Sequence, residues 1–373
     1  MGSLGGVSRP TVLVIGLGAV GSAAALHLAR AGATVVGFDR WRPPHRLGST
    51  HGESRITRAT AWEGARYVPL VARAQQLWAD FAQATQRQYF SATGGLFVGL
   101  PDEYHVQGSR ESAQAAQLPC ELIPAREIAR RWPWLRVPDG MVGFWDPGAG
   151  VLAPERIVDD QLQMAAQLGA TLHFDTVVHG IETTSSGVRV GTSHGEHRAD
   201  AIVVCAGGWM SQLIGWTGPD LQVERVTQHW FAETAARVDA PVLLLSDGHG
   251  HATAVFPAQA KRIKVAGHGS GRVGPLDALE RDVRADDIAG AESLLRGYLP
   301  QHAGAYLESS SCFYTKTASG HFVIDRMPGA AQVVFASACN GYGFKFSAAV
   351  GEAVAAMALG DEPPVDISSW RLP

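Results

Sequence analysis

The sequence predicts an α/β fold, on three observations. Residues 11–39 read as strand, glycine turn, helix, strand and acid; a second glycine-rich loop at 340–347 opens a helix of small residues; and 373 residues with 46% apolar and 18% charged side chains supply a full core. Thr11 to Ile15 (TVLVI) is a continuous β-prone run, as in a central parallel strand covered on both faces. Gly16-Leu17-Gly18-Ala19-Val20-Gly21 follows, then a helix from Ala19 to Ala31 closed by Gly32. A second strand, Thr34 to Phe38, ends at Asp39. The whole is a βαβ unit of Rossmann type, about 30 residues long. Gly16 makes the turn, Gly18 lets the backbone reach a pyrophosphate, and Gly21 lets helix and strand pack closely. The helix N-terminus then faces the diphosphate, and Asp39 can accept hydrogen bonds from a ribose. The unit predicts a dinucleotide site and does not choose between NAD and FAD.

The stretch from Val12 to Ala29 lacks Asp, Glu, Lys and Arg over 18 residues, the length of a short membrane span. Its glycine spacing and its stop at Arg30-Ala31-Gly32 identify a buried strand, turn and helix instead. Met1 to Pro10 reads as a frayed tail. A net charge of −4, from 31 basic and 35 acidic residues, offers no broad cationic field, which argues against nucleic acid or an anionic membrane as partner. The four cysteines, Cys120, Cys205, Cys312 and Cys339, lie far apart without a CxxC pair. They form neither a disulfide framework nor a zinc site, so no metal is expected, and they suit a reducing cytoplasm.

Four further segments carry polar chemistry. Pro43-Pro44-His45 and the run Gly48 to Arg58 (GSTHGESRITR) suit an anionic ligand, and Arg55 and Arg58 share a face if a helix begins there. In Arg262 to His268, strand alternation puts Lys264, Ala266 and His268 on one face and Ile263 and Val265 on the other. Ser310 to Thr317 holds Cys312, a lone strand cysteine whose ordinary role is a small core side chain. Asn340 to Ser347 opens a helix reaching about Leu359 and stopping at Gly360. A helix N-terminus carries roughly half a positive charge, which suits the electron-rich edge of a reduced flavin, while Lys345 suits a substrate carboxylate.

These segments together resemble the monomeric sarcosine oxidase and N-methyltryptophan oxidase family of flavin amine oxidases. The resemblance runs through GLGAVG, the loop ending in Arg58, Tyr67 to Leu70 (YVPL), Thr93 to Gly99 (TGGLFVG), a Gly150-Val151-Leu152 turn, Cys205 to Trp209 (CAGGW), CFYTKT and GYGFKFS, in family order over nearly the whole chain. It implies a Rossmann-type FAD-binding domain made of residues 1–60, 145–220 and 310–373. Residues 61–144 and 221–309 would form a substrate domain on a mixed β-sheet.

It also implies roles. Cys312 matches the cysteine joined to the flavin 8α carbon, and His51 and Arg55 match residues beside the flavin ring. Arg58 and Lys345 match a clamp for the substrate carboxylate, where the Arg fork is bidentate and Lys adds a point charge. Lys264 matches the lysine that assists oxygen reduction, and His268 matches a nearby active-site histidine. Arg40, Ser49, Thr50, Ala206, Gly207, Trp209, Gly341, Gly343 and Phe344 would line the cofactor.

The implied reaction passes hydride from the C–H beside the amine nitrogen to flavin N5, giving an imine, with dioxygen reduced to hydrogen peroxide by a monomeric enzyme. Three positions depart from the sarcosine enzymes: Ala254 replaces a tyrosine, Tyr342 a histidine and Trp62 a glycine. They predict a pocket for an amino acid bulkier than sarcosine. A non-covalent FAD dehydrogenase or monooxygenase acting on a biosynthetic intermediate, and a non-catalytic dinucleotide-binding module, are the alternatives.

Overall fold

The computed structural model describes residues 9–185, 187–214, 221–237, 239–268, 271–274 and 276–372, so most of the expected tail lies outside the described residues. The first βαβ unit forms as strand Thr11–Ile15, helix Ala19–Arg30 and strand Thr34–Phe38. These strands sit in a six-stranded sheet of order 323–327, 330–337, 201–204, 11–15, 34–38, 171–173, parallel throughout except at the 323–327 edge. Strand alternation divides its apolar side chains between two layers. Val12, Val14, Val203 and Val334 pack under helices Ala19–Arg30, Val68–Thr85, Pro154–Gln167 and Ser347–Leu359. Leu13, Ile15, Ile202 and Val204 pack on the other face with Val188 and Val190 of a three-stranded antiparallel sheet.

A second, mixed sheet has nine strands. Its long strand Leu221–Glu233 pairs on one side with Ala303–Thr317, which carries Cys312, and on the other with Arg262–His268, which carries Lys264. The short strand Arg272–Gly274 pairs with Val223 to Arg225 of the long strand, and strands 252–255, 242–246, 95–99, 142–146 and 121–124 continue the sheet beyond Arg262–His268 in that order, with 242–246 parallel to 95–99. The predicted alternation holds from Ile263 to Ala266: Ile263 and Val265 enter a core with Leu243, Leu245 and helix Ala285–Tyr298, while Lys264 and Ala266 face the opposite way, into a cavity.

Two local expectations are corrected. Arg55–Thr57 is a short strand rather than the start of a helix, and Gly150–Leu152 is its antiparallel partner rather than a turn. A three-residue segment gains little as an isolated helix, whereas a ladder to a neighbouring strand satisfies its backbone and suits Ile56, Thr57 and Val151. Beyond this strand, the fully buried Asp146 accepts hydrogen bonds from Ala59 N (3.0 Å), Thr60 N (3.0 Å) and Thr60 Oγ1 (2.9 Å). Asp146→Ala strands three backbone donors, these two and Gly148 N (2.9 Å), at roughly 1–3 kcal/mol for each that is buried. Urea denaturation should therefore show a loss of about 3 kcal/mol or more, partly recovered by Asp146→Asn.

Candidate active site

Loops from both sheets enclose one continuous cavity of about 500 Å³. At one end stands the glycine turn. Gly16 has φ +82°, and a Cβ there would lie 2.5 Å from Cys205 O; a Cβ on Gly21 would lie 1.7 Å from Gly16 O. Gly18, Ala19 and Val20 open the helix N-terminus into the cavity, while Gly21 packs beneath the turn rather than lining it. Asp39 lines the same end and accepts from Leu17 N (2.8 Å) and Trp41 N (3.0 Å). Arg40, Ser49, Thr50, Ala206, Gly207 and Trp209 also face this cavity, as do Gly341, Gly343 and Phe344 from the C-terminal loop. That loop is a 3₁₀ turn, Gly343–Phe346, running into helix Ser347–Leu359. A bare glycine cradle with a helix N-terminus aimed into it fits the pyrophosphate of FAD.

Between the two ends, one loop is stapled from three sides. Lys264 Nζ donates to Gly52 O (2.6 Å) and Ser54 O (2.9 Å), Arg55 donates to Ser49 O and Ser54 O (both 2.8 Å), and Glu155 Oε1 accepts from Gly52 N (2.6 Å) and Glu53 N (3.0 Å). Lys264 and Arg55 both reach the cavity. Burial, and then the charge of Arg55, hold the Lys264 ammonium well below an ordinary lysine. Cys312 faces the same space, its Sγ 3.6 Å from Ser49 O. Burial pushes its thiol up, with Arg55 and Lys264 pulling the other way. His51 lies behind the loop, facing a separate cavity of about 240 Å³ rather than the main one. Burial and Arg55 lower it to about 4, so it is neutral at pH 7. The side chain of His268 lies outside the described residues.

At the other end, Arg58 and Lys345 meet, both 2% exposed. They meet on a group the motif reading missed: Glu63 Oε1 is 2.6 Å from Arg58 Nη2 and 2.9 Å from Lys345 Nζ. Burial alone would raise the Glu63 carboxyl, but Arg58 and Lys345 outweigh it and hold the group below its usual value. Burial and the neighbouring Arg58 bring Lys345 down to about 7. Arg58 Nη1 and Glu63 Oε2 are buried without a hydrogen-bond partner. No spacing rule singles out Glu63, because its partner Lys345 lies 282 residues away.

The three substituted positions also gather here. Trp62 lies under the Arg58 guanidinium, 3.5 Å from ring centre to Cζ, so it is a platform for the cation as well as a wall. Tyr342 shows its ring to Lys345 Nζ at 4.9 Å, while its hydroxyl turns to Tyr67 and to Gly320 O. Ala254 lines the cavity near Leu244, Phe256 and Ala266.

A glycine cradle for a dinucleotide, joined in one cavity to buried cations and a cysteine, defines a flavin oxidoreductase, and the sequence comparison agrees. The model of the FAD dependent oxidoreductase family matches residues 11–357, and the chain belongs to that family. Within it, the chain is 36% identical over 357 residues to monomeric sarcosine oxidase of Streptomyces avermitilis, covering 93% of each chain. It is 34% identical to N-methyl-L-tryptophan oxidase of Yersinia pestis, covering 97% of this chain and 98% of the relative, and so falls in the amino-acid-oxidising group. The fold superposes on the open form of NikD, an unusual amino acid oxidase essential for nikkomycin biosynthesis, with a TM-score of 0.86, 21% identity and coverage of 98% of each chain. Among the described residues, no helix is long and apolar enough to cross a membrane, and no group of three His, Cys, Asp or Glu could hold a metal ion.

Proposed function

We propose that this enzyme oxidises a secondary amino acid, N-methylated or cyclic and bulkier than sarcosine. The observation that carries the reading is the convergence of Arg58 and Lys345, which line the cavity that also holds the glycine cradle and Lys264, on one buried carboxylate. Two buried cations with an acid between them form a site selected for a carboxylate. The substrate's own carboxylate takes the place of Glu63, and the unpartnered Arg58 Nη1 completes a bidentate grip. Trp62 holds the guanidinium flat and, with Tyr342, keeps water from the pair. Anchoring the acid orients the adjacent C–H and amine toward the cofactor, which is the positional part of the rate gain. Held at the cradle of Gly16 and Gly18, FAD would supply the hydride acceptor and the route for the electron pair to dioxygen, giving hydrogen peroxide. Lys264, with its depressed pKa and its ties to Gly52 and Ser54, provides a fixed positive end for the charge that develops on oxygen.

The small side chain of Ala254, beside Leu244 and Phe256, supports room for a ring or aromatic group. A peroxide-coupled assay of sarcosine against N-methyl-tryptophan, pipecolate and proline tests this, with the larger substrates expected to win; a clear preference for sarcosine rejects it. We also propose that Cys312 carries the flavin through its sulfur. Acid precipitation should then give a yellow pellet from the wild type and a colourless one from Cys312→Ala, whereas a yellow supernatant from both overturns the attachment. The division into an FAD domain (1–60, 145–220, 310–373) and a substrate domain (61–144, 221–309) belongs to the same proposal. Cys312 would stand at their boundary, because its strand hydrogen-bonds into the nine-stranded sheet.

A further inference from the structure

An amino acid arrives as a zwitterion, but an ammonium nitrogen has no lone pair to support loss of hydride from its neighbouring carbon. The proton on nitrogen must go somewhere before oxidation. Around the clamp, the groups facing Glu63 are Arg58, Lys345, Tyr67, Tyr104, Tyr342 and His321. The first two are the cations themselves. Burial raises the three phenols above their ordinary value, and His321 meets Tyr67 Oη through Nδ1 at 3.2 Å, away from the clamp. Glu63 is the one acid in this set, and its Oε2 is buried without a partner.

We propose that Glu63 accepts the ammonium proton of the substrate as the substrate's carboxylate replaces it on Arg58 and Lys345. The inference rests on the clamp reading above. One N–H bond breaks and one O–H bond forms, with no change of oxidation state. The site keeps its net charge, because the two cations now face the substrate carboxylate while Glu63 and the amine are both neutral.

The reason for the transfer is the exchange of partners. Glu63 is ionised in the free site only because two cations offset its burial. Once they turn to another carboxylate, its desolvation is uncompensated and its proton affinity rises. Nor can Glu63 escape to water by moving its backbone. The preceding residues are tied by Ala59 and Thr60 to Asp146 and by Ala61 N to Ser112 Oγ (3.1 Å). The side chain itself is 3% exposed. The acid clamp and the proton acceptor are thus one device: docking of the carboxylate makes the base.

The test counts protons. 2-Furoate, a carboxylate without an amine, should bind the holoenzyme and perturb the flavin spectrum. Titration calorimetry at pH 6.0 in buffers of differing ionisation enthalpy then gives the protons exchanged, at a pH where Lys345, near 7, is already mostly charged. The wild type should take up about one proton per 2-furoate bound, Glu63→Asp should retain the uptake, and Glu63→Gln should take up close to none. Saturable binding with no uptake by the wild type overturns the inference while leaving the clamp standing. Equal uptake by Glu63→Gln also overturns it. Absence of saturable binding, or binding unchanged in Arg58→Met, overturns the clamp itself and the inference with it. A second readout is the rate of flavin reduction with a true substrate under anaerobic conditions. An alkyl ammonium titrates near ~10, so below that pH the rate in Glu63→Gln should fall toward tenfold per unit, where the wild type stays flat.

Discussion

Arg58→Met is expected to lower kcat/KM for amino-acid substrates by about 10²–10⁴, the equivalent of the roughly 3–5 kcal/mol that breaking a buried charge pair costs. Arg58 is 2% exposed, and one of its terminal nitrogens is bound to Glu63 while the other waits without a partner. Removing the guanidinium leaves an incoming carboxylate with Lys345 alone, a single point charge in place of a charged pair with a fork. Arg58→Lys should recover part of the loss, because it restores the charge without the two-pronged fork. The discriminating measurement pairs each amino acid with the corresponding amine lacking its carboxylate. The variant should lose most of its activity on the former and little of its already low activity on the latter. An equal loss on both would mean that Arg58 does not read the acid.

Lys264→Met should separate the two halves of the reaction. Flavin reduction by substrate, measured without oxygen, should change by only a few-fold, while reoxidation by dioxygen should slow by about 10²–10³, the scale for removing a fixed charge from a desolvated site. Lys264 is 4% exposed, with two of its three N–H donors held by Gly52 and Ser54. Loss of those bonds could also loosen the loop. Ser54 O keeps its bond from Arg55, and Glu155 still holds Gly52 N and Glu53 N. An unchanged spectrum of the bound flavin would verify that the loop has stayed in place. Because burial and Arg55 depress the Lys264 pKa, its charge is lost as pH rises at a lower pH than an ordinary lysine's. The wild-type reoxidation rate should fall over that range and the variant's should not. Slow reduction with normal reoxidation would contradict the assignment.

Legibility in the sequence followed the range of the forces involved. Thr11–Ile15, Ala19–Arg30 and Thr34–Phe38 form within a residue of their predicted limits, because a glycine turn, an apolar run and a helix stop act over a few neighbours. The alternation that sends Lys264 to one face and Ile263 and Val265 to the other is equally local, since strand period is a property of the backbone. Whether a helix begins at Arg55 was left open by the sequence, because the conformation there depends on Gly150–Leu152, nearly a hundred residues away. His51 shares a loop with Arg55 but faces a different cavity, a distinction no linear pattern carries.

From its order of residues alone, this chain declares a dinucleotide cradle, the positions of its arginines and lysines, and membership in a flavin family. The three-dimensional packing alone decides what those cations do with one another. It brings Glu63 between Arg58 and Lys345, lays Trp62 under the guanidinium and removes the three charged side chains from water. Charge type is written residue by residue, but the strength of a charge depends on solvent exclusion and on partners hundreds of positions distant, and these exist only once the two sheets have closed around the cavity.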